Sequence, residues 1–186
     1  MMKKIMFPAV LILISGFVVF GQNSVKGKKT GIRKNVPKIA VKKAEAIVVK
    51  LEREKFDPTR DAAKDLLDTI AQTQKSGKRI VLDIGGEWCV WCRNMDNFFL
   101  QNAELAKLRD ENFIWLKINF SEENKNEAFL TAYPEIKGYP HLFVLDKDGK
   151  FIFSKNTEEL EEGKSYNLQR FTDFLKEYAP EKTVQK

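Results

Sequence analysis

The chain has two cysteines, Cys89 and Cys92, and they sit where one hydrophobic pattern gives way to another. Before them runs Arg79-Ile80-Val81-Leu82-Asp83-Ile84, a mostly β-branched stretch that is apolar on both faces. Two-sided hydrophobicity of this kind suits a strand buried in the middle of a sheet. After them comes Arg93-Asn94-Met95-Asp96-Asn97-Phe98-Phe99-Leu100, a helical pattern with one apolar face. Strand, Gly85-Gly86-Glu87-Trp88 turn, Cys-x-x-Cys and helix follow one another without a gap. This layout is that of a thiol–disulfide redox site, and it requires an α/β architecture around it.

Disulfide exchange needs a thiolate that attacks a sulfur in line and a second thiol that releases the mixed disulfide. Cys89 is expected at the exposed N-terminal end of the helix. There unpaired N–H groups and the helix dipole stabilise a thiolate and bring its pKa below ~8.5. Cys92, one turn further in, is the shielded resolving thiol, since helix geometry brings the two sulfurs within bonding range. A purely structural bridge is the weaker reading, because so short a loop gives little entropic stabilisation.

The remaining elements follow from periodicity. Residues 44–56 carry alternating Ile47, Val49 and Leu51, which suggests an edge strand, although the charged run from Glu52 to Lys55 also permits helix. A helix starts near Pro58, capped by Asp57 or Thr59, has Ala62, Leu66, Leu67 and Ile70 recurring at helical spacing, and stops at Ser76-Gly77-Lys78. Asn102 or Ala103 to Arg109 adds a helical turn or two. Asn112 to Phe120 is a second central strand. Glu122 to Tyr133 turns from polar to helical, burying Ala128, Phe129 and Leu130. A strand over His141–Leu145 is joined through Asp146-Lys147-Asp148-Gly149 to a return strand over Phe151–Ser154. A last helix, capped by Asn167 or Ser165, places Leu168, Phe171, Phe174, Leu175 and Tyr178 inward. The resulting order is β-α-β-α-β-α-β-β-α, a central sheet with helices on both faces.

Net charge locates the delivery segment. The total is +6, yet no acidic residue precedes Glu45, while ten basic ones do. From Glu45 onward 22 basic residues face 26 acidic ones. The basicity therefore belongs to the N-terminal arm, which argues against a nucleic-acid-binding domain. Residues 1–21 read as a signal peptide: Lys3 and Lys4, the apolar run Ile5–Phe20, then Gly21. An uncleaved anchor is the alternative, though the run is short of the ~20 residues a spanning helix needs. Residues 22–56 form a basic linker, solvated or in weak contact with an anionic membrane surface, with the candidate edge strand at its end. The folded domain is expected over 57–180, with a polar tail at 181–186. Export to the periplasm or beyond puts the thiols where disulfides persist.

Glu87-Trp88-Cys89-Val90-Trp91-Cys92, Asp83 six residues before Cys89, Lys117, and the later Gly138-Tyr139-Pro140 together resemble the thioredoxin superfamily over residues 57–180. The Cys-Val-x-Cys and the Asp-Gly hairpin look most like exported bacterial members, such as the C-terminal domain of the electron transporter DsbD. Trp91 where thioredoxin has proline, and Gly85-Gly86 in place of a bulkier pair, are departures. The resemblance implies a thioredoxin fold with a mixed sheet and protein-disulfide oxidoreductase activity without a cofactor. It implies that Asp83 accepts the proton of Cys92 through water, with Lys117 facing it. It also implies a cis bond before Pro140, beside which Tyr139 pairs with substrate backbone. Trp88 and Trp91 complete the substrate-binding set, Trp91 as the exposed apolar contact and Trp88 as the packed one. His141, the lone histidine, is a candidate for tuning Cys89 through charge. The partners implied are protein thiols and disulfides and a membrane electron donor, with the chain itself a monomer. A copper carrier using Cys89, Cys92 and His141, and a non-catalytic binding module, are the rival classes.

Overall fold

The computed structural model describes residues 53–181. The signal segment, most of the basic linker with its candidate edge strand, and the tail beyond Glu181 lie outside the described residues. Among the described residues no helix is long and apolar enough to cross a membrane.

Helix α1 (Ala62–Ser76) starts later than the sequence suggests. Its cap is Asp61, whose carboxylate accepts the N–H groups of Ala63 and Lys64 at 3.0 and 3.1 Å. Asp57 instead binds Thr59 through its N–H and hydroxyl, forming a local turn that keeps Pro58 and Thr59 outside the helix. Gly77, in the left-handed region at φ 73°, closes α1 by donating to Thr73.

Strand β1 (Arg79–Gly85) is central. It pairs in parallel with β2 (Phe113–Asn119) and antiparallel with β3 (His141–Leu145), which pairs antiparallel with β4 (Phe151–Asn156). The sheet order is β2-β1-β3-β4. Ile80, Val81, Leu82 and Ile84 are fully buried, as two-sided hydrophobicity requires. Their alternation divides the core. Ile80, Leu82 and Ile84 pack on α1's side with Ala62, Leu116, Ile118, Phe143 and Leu145. Val81 packs on the other side with Met95, Phe98, Phe99, Leu105, Phe171, Phe174 and Leu175. That second layer consists of α2 (Val90–Gln101), α3 (Ala103–Asn112) and α5 (Leu168–Glu177). With a period of two, Asp83 and Gly85 share the face of Val81, under the helix that carries the cysteines.

Three expectations are corrected. The helix after β2 is a single turn, α4 (Glu127–Leu130), with Ala128 exposed and Phe129 and Leu130 only half-buried. The loop before it is held instead by asparagine side chains. Asn119 donates to Asn124 O, Asn126 donates to Asn119 O, each at 2.8 Å, and Asn126 itself is left-handed at φ 47°. Asparagines that satisfy backbone groups in this way compete with helix. After β4, a 3₁₀ turn (Thr157–Leu160) and a two-stranded ribbon, β5 (Glu161–Glu162) with β6 (Ser165–Tyr166), precede α5, where no regular element was expected. Leu168 at the first position of α5 is 49 % exposed, outside the stripe that Phe171, Phe174 and Leu175 bury.

Candidate active site

β1 delivers the chain to Gly85, and a turn closed by Cys89 N–H to Gly86 O at 3.0 Å starts α2. Cys89 is the N-cap: its backbone is extended at φ −80°, ψ 112°, and its Sγ accepts the N–H of Cys92 at 3.1 Å. A helix N-cap is where a serine or aspartate oxygen would sit, so the sulfur occupies a position built to receive negative charge. Cys89 and Cys92 are joined in a disulfide, with Cα atoms 5.3 Å apart. The expectation of an exposed Cys89 is corrected: it is 3 % exposed, and Cys92 is fully buried. Phe56, 3 % exposed, packs with the two cysteines, and Trp91 and Tyr139 flank them.

The Tyr139–Pro140 bond is cis and Pro140 is buried. Thr157 donates its hydroxyl to Pro140 O at 2.6 Å, tying this loop to the 3₁₀ turn. Tyr139 stacks on Phe120 with centroids 4.9 Å apart and meets Trp88 edge-on at 5.4 Å. The indole N–H of Trp88 donates to Phe120 O at 2.6 Å. The two tryptophans exchange the places assigned to them. Trp88 is 54 % exposed, beside Val90 at 58 %, whereas Trp91 is half-buried against Tyr166. The reason is helical spacing. Trp91, Met95 and Phe98 fall at i, i+4 and i+7, one buried stripe, while Trp88 precedes the cap and stands outside it.

Behind the cysteines lies a chain of alternating charges. Asp83, fully buried, accepts Lys117 Nζ and the Trp115 indole N–H, both at 3.1 Å. Lys117 also donates to Asp96 at 2.8 Å, and Asp96 accepts Arg53 at 3.0 Å. Arg53 grips Glu87 with both terminal nitrogens, and Glu87 accepts the N–H of Phe56 at 3.0 Å. Arg93 donates to the backbone carbonyl of Glu87. The parallel register of β1 and β2 sets Asp83 directly opposite Lys117. Burial raises the pKa of Asp83 against the pull of Lys117, and the charge of Asp96 raises it further. Burial also opposes the charge of Lys117, but Asp83 and Asp96 together outweigh it and hold its pKa above the usual lysine value. The Arg53 hydrogen bonds keep Glu87 below the ordinary carboxylate range despite partial burial.

Of the residues singled out in the sequence, Cys89, Cys92, Trp91, Tyr139 and Pro140 gather at the N-terminus of α2, and Asp83 and Lys117 lie beneath it. His141 is 2 % exposed, its Nε2 paired with Ser154 Oγ at 2.8 Å, and burial lowers its pKa to about 4. At neutral pH it therefore brings no charge to Cys89, which corrects the tuning role. Among the described residues no three His, Cys, Asp or Glu side chains group as metal ligands. Sequence reasoning missed Arg53, Phe56, Glu87, Asp96 and Trp115. Asp96 did carry a signal: it is a carboxylate four residues after Cys92, one helical turn on.

Residues 61–147 match the model of a thioredoxin-like family. With the four-stranded mixed sheet and the Cys89–Cys92 pair at the helix cap, the match gives this part of the chain a thioredoxin-like fold. Its curated relatives include DsbD proteins. The thiol:disulfide interchange protein DsbD of Colwellia psychrerythraea is 25% identical over 93 residues, covering 50% of this chain and 15% of that protein. The chain thus spans a small part of that relative's length. A disulphide isomerase of Xylella fastidiosa Temecula1 superposes with TM-score 0.57 at 26% identity, covering 66% of this chain and 94% of that one. The oxidised C-terminal domain of Neisseria meningitidis DsbD has the same fold, with TM-score 0.50 at 22% identity over 67% of this chain and 99% of that one.

Proposed function

We propose that this chain is a thiol–disulfide oxidoreductase of the cell envelope that passes two electrons to protein disulfides through Cys89 and Cys92. The observation that carries the reading is the Cys89 sulfur at the cap of α2, accepting the Cys92 N–H beside the cis-Pro140 loop. In the reduced protein, the Cys89 thiolate attacks one sulfur of a substrate disulfide. That bond breaks, its other sulfur leaves as a thiolate and takes up a proton, and a mixed disulfide forms. Cys92 then gives its proton to Asp83 through water and attacks the Cys89 sulfur. The second substrate thiol leaves, and the Cys89–Cys92 disulfide is restored. An acid whose pKa burial has raised is a better proton acceptor than an ordinary carboxylate, and Lys117 poises it. Trp88, Tyr139, Pro140 and the inner Trp91 form the substrate-binding rim, with the Tyr139 backbone pairing with an extended peptide.

The direction we assign is reduction or interchange rather than strong oxidation. A strong oxidant owes its potential to a stabilised thiolate. Here Asp83, Asp96 and Glu87 balance Lys117, Arg53 and Arg93, leaving no surplus positive charge for a thiolate. Residues 1–21 would export the chain, residues 22–56 would tether it, and a membrane dithiol protein would re-reduce the monomer. The test is insulin reduction with a dithiol donor. Cys89→Ser abolishes turnover, and Cys92→Ser accumulates mixed disulfides. Full turnover by Cys92→Ser would overturn these roles.

A further inference from the structure

The segment Arg53–Phe56 has no regular structure, yet Phe56 is as buried as Cys89. Two contacts locate its ring. A side-chain carbon added to Gly85 would meet Cys92 Sγ and would lie 3.1 Å from Phe56 Cζ, so ring and sulfur meet over the glycine. On its face, the ring carries the Lys117 ammonium 4.2 Å from its centroid. Phe56 is thus flanked by the buried sulfur and by the Lys117–Asp83–Asp96 cluster. The same segment is held from outside by Glu87, which takes the Phe56 N–H and the Arg53 guanidinium.

We infer that Phe56 is a positioning residue of the redox centre: a wedge, latched by Glu87, that separates the Cys92 sulfur from the charged cluster and governs when water joins them. The inference rests on the thiol–disulfide exchange proposed above and adds a controlling element to it. A thiol surrounded by apolar groups resists ionisation, because its thiolate lacks hydration. A phenyl ring in that position also excludes the water through which Cys92 would hand its proton to Asp83. Gly85 is the residue that makes the arrangement fit, since any side chain there would take the space that ring and sulfur share. The wedge passes the proton when the Arg53–Phe56 strap shifts, and Glu87 holds that strap to the turn carrying Cys89. The charged groups around Cys92 are Asp83 on β1, Lys117 on β2, Asp96 and Arg93 on α2, and Arg53 and Glu87 on the strap and turn. His141 on β3 stays neutral at the pH values concerned.

The experiment uses the full chain, reduced, with ¹³Cβ-labelled cysteine, in wild type, Phe56→Ala, Phe56→Leu and Glu87→Ala. Each is titrated by NMR, and its exchange with glutathione is timed. In Phe56→Ala the Cys92 pKa falls by about one unit, a tenfold change in its ionisation constant. Release of the mixed disulfide at neutral pH quickens by a similar factor. Phe56→Leu, which refills the space with apolar atoms, stays near the wild type. Glu87→Ala, which keeps the ring but frees the strap, shifts the pKa in the same direction by less. A fold defect without insulation would move stability in Phe56→Ala while leaving the Cys92 titration at its wild-type value, and that result overturns the inference. If the wild type itself does not exchange with glutathione, the failure belongs to the proposed function and not to the wedge.

Discussion

Lys117→Met removes the cation on which two buried carboxylates depend. Lys117 Nζ stands 3.1 Å from Asp83 and 2.8 Å from Asp96, with the Lys117 and Asp83 side chains 5% and 0% exposed. At an effective dielectric of about 20, each contact is worth about 5–6 kcal/mol of Coulomb attraction. Much of that is offset by desolvation, so the net loss on removing one partner of such a buried pair is about 3–5 kcal/mol. Methionine retains most of the lysine stem, which keeps the cavity contribution small. The sign of the pH dependence follows from Asp83. Its folded pKa is already raised by burial, and losing Lys117 raises it further. Stability linked to a raised acid is fully present below its unfolded pKa, about 3.9, and is lost as pH rises through the folded value. The deficit of the variant is therefore largest at pH 8 and shrinks on acidification, as Asp83 protonates and no longer needs a cation. Asp96, which keeps Arg53, adds little to this trend. Urea unfolding of the oxidised protein at about pH 8 and pH 5 measures it. A deficit under about 1 kcal/mol at pH 8, or one equal at both values, refutes the argument. The double variant Asp83→Asn/Lys117→Met recovers most of the loss, because the amide needs no counterion.

Gly85→Ala drives a methyl group into Cys92 Sγ and within 3.1 Å of the Phe56 ring, and destabilises the protein by about 1–3 kcal/mol. Thermal unfolding reads this out, and an unchanged midpoint would show that the ring and sulfur yield freely. Asp83→Asn relieves the buried charge while Lys117 keeps Asp96, so it stabilises the protein increasingly as pH rises. The same variant slows exchange at neutral pH, and a rate–pH profile matching the wild type would remove Asp83 from the mechanism.

The centre of this fold was legible because single local patterns generate it. The apolar run into β1, the Cys-x-x-Cys at a helix start and the Asp-Gly hairpin each depend on near neighbours, and each forms where its pattern lies. Asp83 stood out because a carboxylate inside a buried strand needs a partner, and strand register supplies Lys117. What was not legible depends on contacts across the chain. Arg53 and Phe56 reach Glu87, 34 and 31 residues away, from a stretch whose pattern reads as strand or as helix but points to no partner. The short α4 was masked by apolar residues at helical spacing, because nothing in a hydrophobic pattern counts the backbone bonds that Asn119, Asn124 and Asn126 make. The places of the tryptophans follow from the helical stripe that Trp91 shares with Met95 and Phe98, which proximity to the cysteines does not reveal.

The buried cluster is hard to explain as a stabilising device. A carboxylate with no exposed surface, one of whose oxygens has no hydrogen-bond partner, weakens a fold relative to an apolar residue of the same size. The unpartnered oxygen of Asp83 is where a proton or a water would be received, on the face of β1 that lies beneath Cys92. In the disulfide, Cys92 is fully buried. In the exchange proposed above, Asp83 is the interior acceptor for Cys92, and it is the carboxylate beneath the cysteines whose pKa burial raises. Stability and rate should then move in opposite directions in Asp83→Asn, the fold gaining as the exchange slows. An aspartate with no part in the exchange would give the gain in stability with an unchanged rate, so measuring the two quantities on one variant separates a functional carboxylate from a structural one.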